Sequence, residues 1–331
     1  MARIVKKRVE ASLATGDKYA VPYWEADSGV EGPCLMVTAA QHGTELQGAE
    51  ICRRLLPFLQ EELSKGRCLL APFANPEAVR RRQAHIDCEE DGKNQPNNVS
   101  GTWPGKADGS NAERLSYALA QTLVPQATHA IDIHCWQRGQ GATALVQSGR
   151  QEANDLINVM GLPFARFKEW QPDVKERPVT PCLLRNYIHD TGRTAVTIEY
   201  SGQNGFWEDQ IELGLRTMRN ALRFLDMAPG EIEAPDRPTV WIGDCEETDV
   251  TAPATGVFAP APLSLCDRIE KGASLGRIIS TETLQVTDVT APTDGIIYRI
   301  GAGDKKDVKR SSHPHMDEGT MLFTLLHPKG A

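Results

Sequence analysis

The sequence predicts an α/β protein with a mixed, largely parallel central sheet flanked by helices, followed by a smaller all-β domain. Three observations carry that prediction. Short apolar runs alternate with stretches of helical periodicity from residue 33 to about 225, the pattern of βαβ units. The chain changes character between Ala228 and Pro238, where Pro229, Gly230, Pro235 and Pro238 punctuate acidic residues. Beyond that point Thr251-Ala252-Pro253-Ala254-Thr255-Gly256-Val257-Phe258 recurs as Thr290-Ala291-Pro292-Thr293-Asp294-Gly295-Ile296-Ile297, and two copies of strand-turn-strand imply a small quasi-symmetric barrel or sandwich. The predicted domains are 1–228 and 229–331.

Taken in order, residues 3 to 25 alternate and contain aromatics, which suggests one or two edge strands. Pro33 to Ala40 is the first strong strand. Leu46, Ala49, Cys52, Leu55 and Leu56 fall at helical spacing within a helix expected over Thr44 to Leu56, and Pro57 disturbs the pattern. Arg67 to Phe73 is strand, closed by Asn75-Pro76. Ile86 to Gly109 is polar, rich in Gly, Asn and Pro, and long enough to suggest a functional loop. Ser110 and Glu113 form a capping box for a helix running to about Leu123.

Strands follow at Thr128 to Ile133 and Ala142 to Gln147, then a helix at Glu152 to Met160 and a short strand at Phe164 to Phe167. Pro181 behind Thr180 is placed to open a helix that Gly192 ends. Thr194 to Glu199 is strand again, and Ile211, Leu215, Met218, Leu222 and Leu225 make one apolar helix face.

Composition narrows the function classes. At 331 residues and 40% apolar content the chain can fill a sizeable core. Its formal charge of -8, with no basic cluster interleaved by aromatics, argues against nucleic acid. No stretch approaches the roughly 18 apolar residues of a membrane span, and the basic start lacks an apolar h-region, so a cytoplasmic location is expected. The eight cysteines are scattered without a Cys-x-x-Cys pair, which suggests reduced, structural thiols.

The chemistry gathers at strand ends, where an open α/β sheet binds its ligands. The first strong strand ends at His42 with Glu45 three residues on and Gly43 at the turn; the next reads Asp132-Ile133-His134; a later one ends at Glu199. Two imidazoles and a carboxylate leave one position of a tetrahedral zinc open, the composition of a catalytic site, and water fills it. Zinc lowers the pKa of such water from 15.7 to about 7, leaving Glu199 to act as general base and then general acid. Asp132, on the same strand as His134, is expected to steady the site from behind the ligands.

Each residue also has a plainer reading. Glu45 serves as a capping glutamate, His134 as a hydrogen-bonded interior histidine, Glu199 as a strand-end charge and Asp132 as half of a salt bridge. His313-Pro314-His315 has no third ligand beside it and reads as a surface loop.

His42-Gly43-Thr44-Glu45, Asn75-Pro76-Glu77-Ala78, Trp103-Pro104-Gly105, Asp132-Ile133-His134 and Thr197-Ile198-Glu199-Tyr200-Ser201-Gly202 resemble, in order, the succinylglutamate desuccinylase/aspartoacylase family, which is related to the zinc carboxypeptidases. The resemblance covers roughly residues 30 to 330. It implies a zinc-dependent deacylase acting on a small N-acyl amino acid or related amide, with one Zn2+ per chain on His42, Glu45 and His134, and Glu199 as the base.

The sequence departs from the family at its arginines, which hold a substrate carboxylate and help polarise the carbonyl. Ala84 stands where one is usual, and Asp91 to Ser100 offers asparagines but no arginine. Arg82, Arg185 and Asn98 are the substrate-binding candidates that remain, Arg185 because a guanidinium binds a carboxylate bidentately. Arg80 and Arg81 are weaker candidates, Lys93 weaker still, and the arginine run otherwise reads as a solvated helix face.

The C-terminal repeat resembles the half-motifs of lipoyl and biotinyl carrier domains, but Leu284 occupies the place of the modified lysine. That domain is therefore expected to cover the catalytic face or to mediate assembly into a homo-oligomer. The rival functions are a zinc carboxypeptidase acting on peptides, which needs a firm carboxylate clamp, and a metal-binding module that has lost catalysis.

Overall fold

The computed structural model describes residues 1–87, 97–167, 182–235, 237–301 and 313–329. The chain divides into two compact units, Met1–Trp136 with Ala142–Thr239, and Gln137–Gly141 with Val240–Ala331.

The first unit opens with β1 (Arg3–Ser12) and β2 (Lys18–Asp27), an antiparallel pair in register from Arg3 opposite Asp27 to Ser12 opposite Lys18. Next come β3 (Cys34–Ala39), α1 (Gln47–Glu62), β4 (Arg67–Ala71), α2 (Pro76–Arg81) and α3 (Asn111–Leu123). Then follow β5 (His129–Trp136), β6 (Thr143–Val146), α4 (Gln151–Met160), β7 (Phe164–Phe167), α5 (Leu184–Asp190), β8 (Thr194–Ser201) and α6 (Glu208–Phe224). The strands order as β1-β2-β4-β3-β5-β8-β6-β7. Neighbours β4, β3, β5 and β8 run parallel, while β2 and β6 join this block antiparallel, so the sheet is mixed with a parallel centre. All six residues of β3 are buried, as a strand covered on both faces requires.

Alternation along the strands assigns the faces. Met36, Ala130 and Ala195 pack with Leu115 and Leu119 of α3 and Leu184 and Ile188 of α5. On the other face α1 lies so close that a Cβ on Gly48 would come within 2.6–2.8 Å of Ile133 and Ala39. Thr38, Asp132, Thr197, His134 and Glu199 share the alternation of the α3/α5 face, which makes that face polar toward the strands' carboxyl ends.

Several boundaries differ from expectation for physical reasons. Helix α1 starts at Gln47, which leaves His42 and Glu45 on a turn, where Glu45 donates its N–H to His42 O at 3.1 Å. It also runs through Pro57, because Pro57 and Arg53 face solvent and water can satisfy the carbonyl the proline leaves unbonded. Strands β5 and β8 continue to a last pair, Trp136 opposite Ser201, so His134 and Glu199 lie within strands rather than beyond them. Helix α3 carries the Ser110–Glu113 capping box. Thr180, Pro181, Cys88 and Lys93 lie outside the described residues.

The second unit holds β9 (Val240–Trp241), β10 (Cys245–Thr251), β11 (Gly256–Pro260), β12 (Arg268–Ile269), β13 (Ser274–Ile279), β14 (Val286–Thr290), β15 (Gly295–Ile300), β16 (His315–Met316) and β17 (Met321–Pro328). Two four-stranded antiparallel sheets form, β10-β17-β15-β12 and β14-β13-β11-β16. The first repeat copy passes from the former to the latter, and the second passes back. Equivalent positions Val250 and Val289, Ala252 and Ala291, Phe258 and Ile297 are all buried in one core, which explains why the repeat is apolar where it is. Leu284 is 77% exposed with φ 60, in the β13–β14 connection. None of the described cysteines forms a disulfide, and no helix among the described residues is long and apolar enough to cross a membrane.

Candidate metal centre and active site

The site stands where β3, β5 and β8 lie side by side. Beyond β3 the backbone takes a left-handed step at Ala40 (φ 50) and turns at Gly43. Only glycine fits there: a Cβ on Gly43 would sit 2.3 Å from Ala78 C and 2.5 Å from both Gln83 O and Val79 N. The turn aims His42 and Glu45 at β5. His42 Nδ1 is 2.8 Å from Glu45 Oε1, and His134 Nδ1 is 2.7 Å from Glu45 Oε2. One ligand atom from each of the three lies within 4.8 Å of the others, the one such group found among the described residues.

The outer nitrogens fix which side of each ring faces inward. His134 Nε2 is 3.0 Å from Asp132 Oδ2, and Asp132 Oδ1 accepts from Thr38 Oγ1 at 2.7 Å and Gln41 Nε2 at 2.6 Å. A carboxylate holding two other donors accepts from the ring, so His134 donates its Nε2–H to Asp132 and turns Nδ1 toward Glu45. His42 Nε2 lies 3.0 Å from Asn98 Oδ1, which likewise leaves Nδ1 as the nitrogen facing Glu45. Two Nδ1 atoms, which offer lone pairs once deprotonated, and a carboxylate, with each ring anchored behind, are a donor set that fits a divalent cation such as zinc.

Electrostatics agree with the geometry. Burial opposes charge on either ring, yet Glu45 raises His42 above its usual range, and Asp132 with Glu45 raises His134 well above it. Burial also works against ionised Glu45 and Asp132, but the imidazoles and hydrogen bonds hold both carboxyls below their usual range. The cluster therefore draws positive charge into a buried place.

Glu199 stands opposite His134 in register and is half-buried. Its strand end is clamped to the Glu45 turn: Gln47 Nε2 donates to Ser201 O at 2.9 Å and Gly202 O at 3.1 Å, and Asn204 N–H to Thr44 O at 2.7 Å. Gln203 Nε2 reaches Cys135 O at 2.8 Å and Glu45 Oε1 at 3.4 Å. Arg185 is 1% exposed, with Nη1 donating to Thr197 Oγ1 at 2.9 Å and, among the described residues, no hydrogen-bond partner for Nε and Nη2. Burial pulls its pKa down to about 10, against the attraction of Asp132 and Glu199, so it stays a cation at neutral pH.

The other candidates fall elsewhere. Arg82 is exposed as the left-handed cap of α2 (φ 60) and forms no hydrogen bond or ion pair with the cluster among the described residues. Arg80 and Arg81 pair with Glu77 at 3.0 and 2.9 Å, a surface run. Ala84 is buried, and next to it His85 sets its ring edge-on to His42 with centroids 5.3 Å apart. His313 and His315 are exposed in the second unit. Sequence reasoning assigned nothing to Thr38, Gln41, Gln203 or His85. For Thr38 the strand alternation shared with Asp132 was the available signal.

The catalytic-domain profile of succinylglutamate desuccinylase/aspartoacylase matches residues 31–225. A curated relative, the N-alpha-acetyl-L-2,4-diaminobutyric acid deacetylase of Halomonas elongata, is 23% identical over 280 residues, 81% of this chain and 77% of that protein. An aspartoacylase family protein from Mesorhizobium loti superposes with a TM-score of 0.70 at 20% identity, covering 100% of this chain and 96% of the other. The ectoine utilization protein EutE (DoeB) from Ruegeria pomeroyi, in a product-bound structure, gives 0.68 at 18%, covering 98% and 95%. With more than half its length matched by that profile, the chain belongs to the succinylglutamate desuccinylase/aspartoacylase family of deacylases.

Proposed function

We propose that this chain is a zinc-dependent hydrolase that removes the acyl group from a small N-acyl amino acid, with the metal held by His42 Nδ1, Glu45 and His134 Nδ1. The observation that carries the reading is the convergence of both Nδ1 atoms on Glu45 while both Nε2 atoms are anchored behind. When bound, such an ion supplies Lewis-acid polarisation of the amide carbonyl and makes water a nucleophile near neutral pH. Glu199 takes the proton from the attacking water as the new C–O bond forms, then gives it to the amine nitrogen as the C–N bond breaks. Asp132 and Asn98 hold the imidazoles in the required tautomer, Asn98 thereby serving orientation rather than substrate contact.

Arg185 supports an acidic substrate. Its Nε and Nη2 form the guanidinium edge that matches a carboxylate, and both are buried without a partner among the described residues. The same edge of Arg219 grips Glu233 at 2.8 and 3.0 Å, which shows the geometry such a pair adopts. A buried, uncommitted guanidinium is costly unless an anion completes it, and the free carboxylate of an N-acyl amino acid does so. The Halomonas relative acts, by its name, on an acetylated diamino acid, which is of this class. The test is a panel of N-acyl amino acids, their carboxamide analogues and short peptides offered to zinc-loaded protein. Turnover confined to the free acids supports the reading; peptide cleavage favours a carboxypeptidase, and no turnover with zinc in place favours a binding module.

A further inference from the structure

We propose that Trp103 is a positioning residue for the metal site, acting on His134 through Gln41 and Asp132; this rests on the metal-dependent reading above. Trp103 and Gln41 are fully buried, and the indole Nε1 donates to Gln41 Oε1 at 2.9 Å. The direction of every bond in the chain is forced. An indole N–H can only donate, so the glutamine turns its oxygen to Trp103 and its NH2 to Asp132, at 2.6 Å. The Asp132 carboxylate then has Oδ1 filled by Gln41 and Thr38, and Oδ2 is left for the His134 Nε2–H at 3.0 Å.

Without the indole N–H the Gln41 oxygen loses its donor, and Asp132 alone is left to hold the orientation of the amide. A flipped amide would bring its oxygen against Asp132 Oδ1 at the same close distance, acceptor against acceptor, and the carboxylate would swing to escape. Trp103 adds a second restraint against that flip. The indole is itself fixed in place: the Trp103 N–H donates to Cys182 O at 3.0 Å, the Cys182 N–H returns to Trp103 O at 2.9 Å, and the neighbouring Thr102 hydroxyl lies 2.9 Å from Ser116 Oγ. A ring so held passes its orientation inward through one glutamine and one carboxylate to a metal ligand, the kind of outer support whose loss costs 10- to 100-fold in metal affinity.

The test uses Trp103→Phe, Gln41→Leu and the double variant of the full chain. Zinc affinity is measured by chelator competition and ligand geometry by the visible absorption of the cobalt-substituted protein. Trp103→Phe is expected to weaken zinc about tenfold and to alter the cobalt spectrum, and the double variant to match Gln41→Leu within about twofold, because both act through one relay. Zinc affinity of Trp103→Phe within about twofold of the parent, or losses that multiply in the double variant, would overturn the proposal. If Trp103→Phe does not fold, Gln41→Leu decides alone, since unchanged zinc affinity there breaks the relay at its centre. A parent chain that binds neither metal removes the metal reading itself, a different outcome from a parent that binds and variants that do not weaken.

Discussion

His134 Nδ1 lies 2.7 Å from Glu45 Oε2, although the two residues are 89 positions apart and belong to a strand and to the turn after another strand. Parallel pairing of β3 with β5 sets that distance, because Thr38 opposite Asp132 and Ala39 opposite Ile133 bring the turn beyond β3 level with His134. The cluster of His42, Glu45 and His134 is thus a property of sheet register, and its support is a property of what lies behind the rings.

Asp132 is buried and touches the His134 ring directly. Asp132→Asn keeps the shape but turns an amide NH2 toward either the donors Thr38 and Gln41 or the His134 ring. Zinc affinity is expected to fall by roughly 10- to 100-fold, read by chelator competition, with the fold retained by circular dichroism. Affinity equal to the parent's would leave Asp132 a structural carboxylate.

Arg185 is buried with part of its guanidinium unfilled among the described residues. Arg185→Met removes a buried cation whose Nε and Nη2 have no partner, so the melting temperature of the unliganded protein should hold or rise. The same change should raise KM for an N-acyl amino acid by roughly 10- to 100-fold, the loss of a charged hydrogen-bonded pair, and leave the carboxamide analogue unaffected. Equal effects on both substrates would show that the guanidinium does not hold the carboxylate.

Glu233 ties the segment after α6 back to that helix. Hydrogen bonds from Arg219, then from Arg223, hold its pKa at about 2, below the ordinary 4.5. A carboxyl depressed in the folded state stabilises fully above the unfolded pKa and loses that contribution as pH falls through the folded one. The melting-temperature gap between the parent and Glu233→Gln should therefore be widest above about pH 5 and close between about 4.5 and 2. The gap will be modest, since the Glu233 side chain is 36% exposed and water screens the pair. A gap independent of pH would remove the ion pair as its cause.

Much of this arrangement is legible in the sequence because periodicity and strand ends are local properties. The apolar run before His42, the Asp132-Ile133-His134 alternation and the Ser110–Glu113 capping box each carry their own signal. The start of α1 is less legible, since whether Thr44 to Leu46 coil into a helix depends on what Glu45 must reach. Gln41 and Gln203 are silent in the sequence, because they matter through side-chain hydrogen bonds to residues far away in the chain, and the fold decides those bonds. Arg82 is suggested by its offset from Asn75, but it is the left-handed cap of α2 and its side chain is exposed, while nearby Ala84 and His85 turn inward. Arg185 is one arginine among many until burial and an unfilled guanidinium edge single it out.

The measurement closest to the centre of the matter is zinc content in purified parent, Glu199→Gln and His134→Ala proteins, taken together with hydrolysis of an N-acyl amino acid. One zinc per chain in the parent and in Glu199→Gln, with hydrolysis lost in the latter by at least about 100-fold, and little zinc in His134→Ala, is the predicted result. Stoichiometric zinc in His134→Ala, or undiminished hydrolysis by Glu199→Gln, would contradict it.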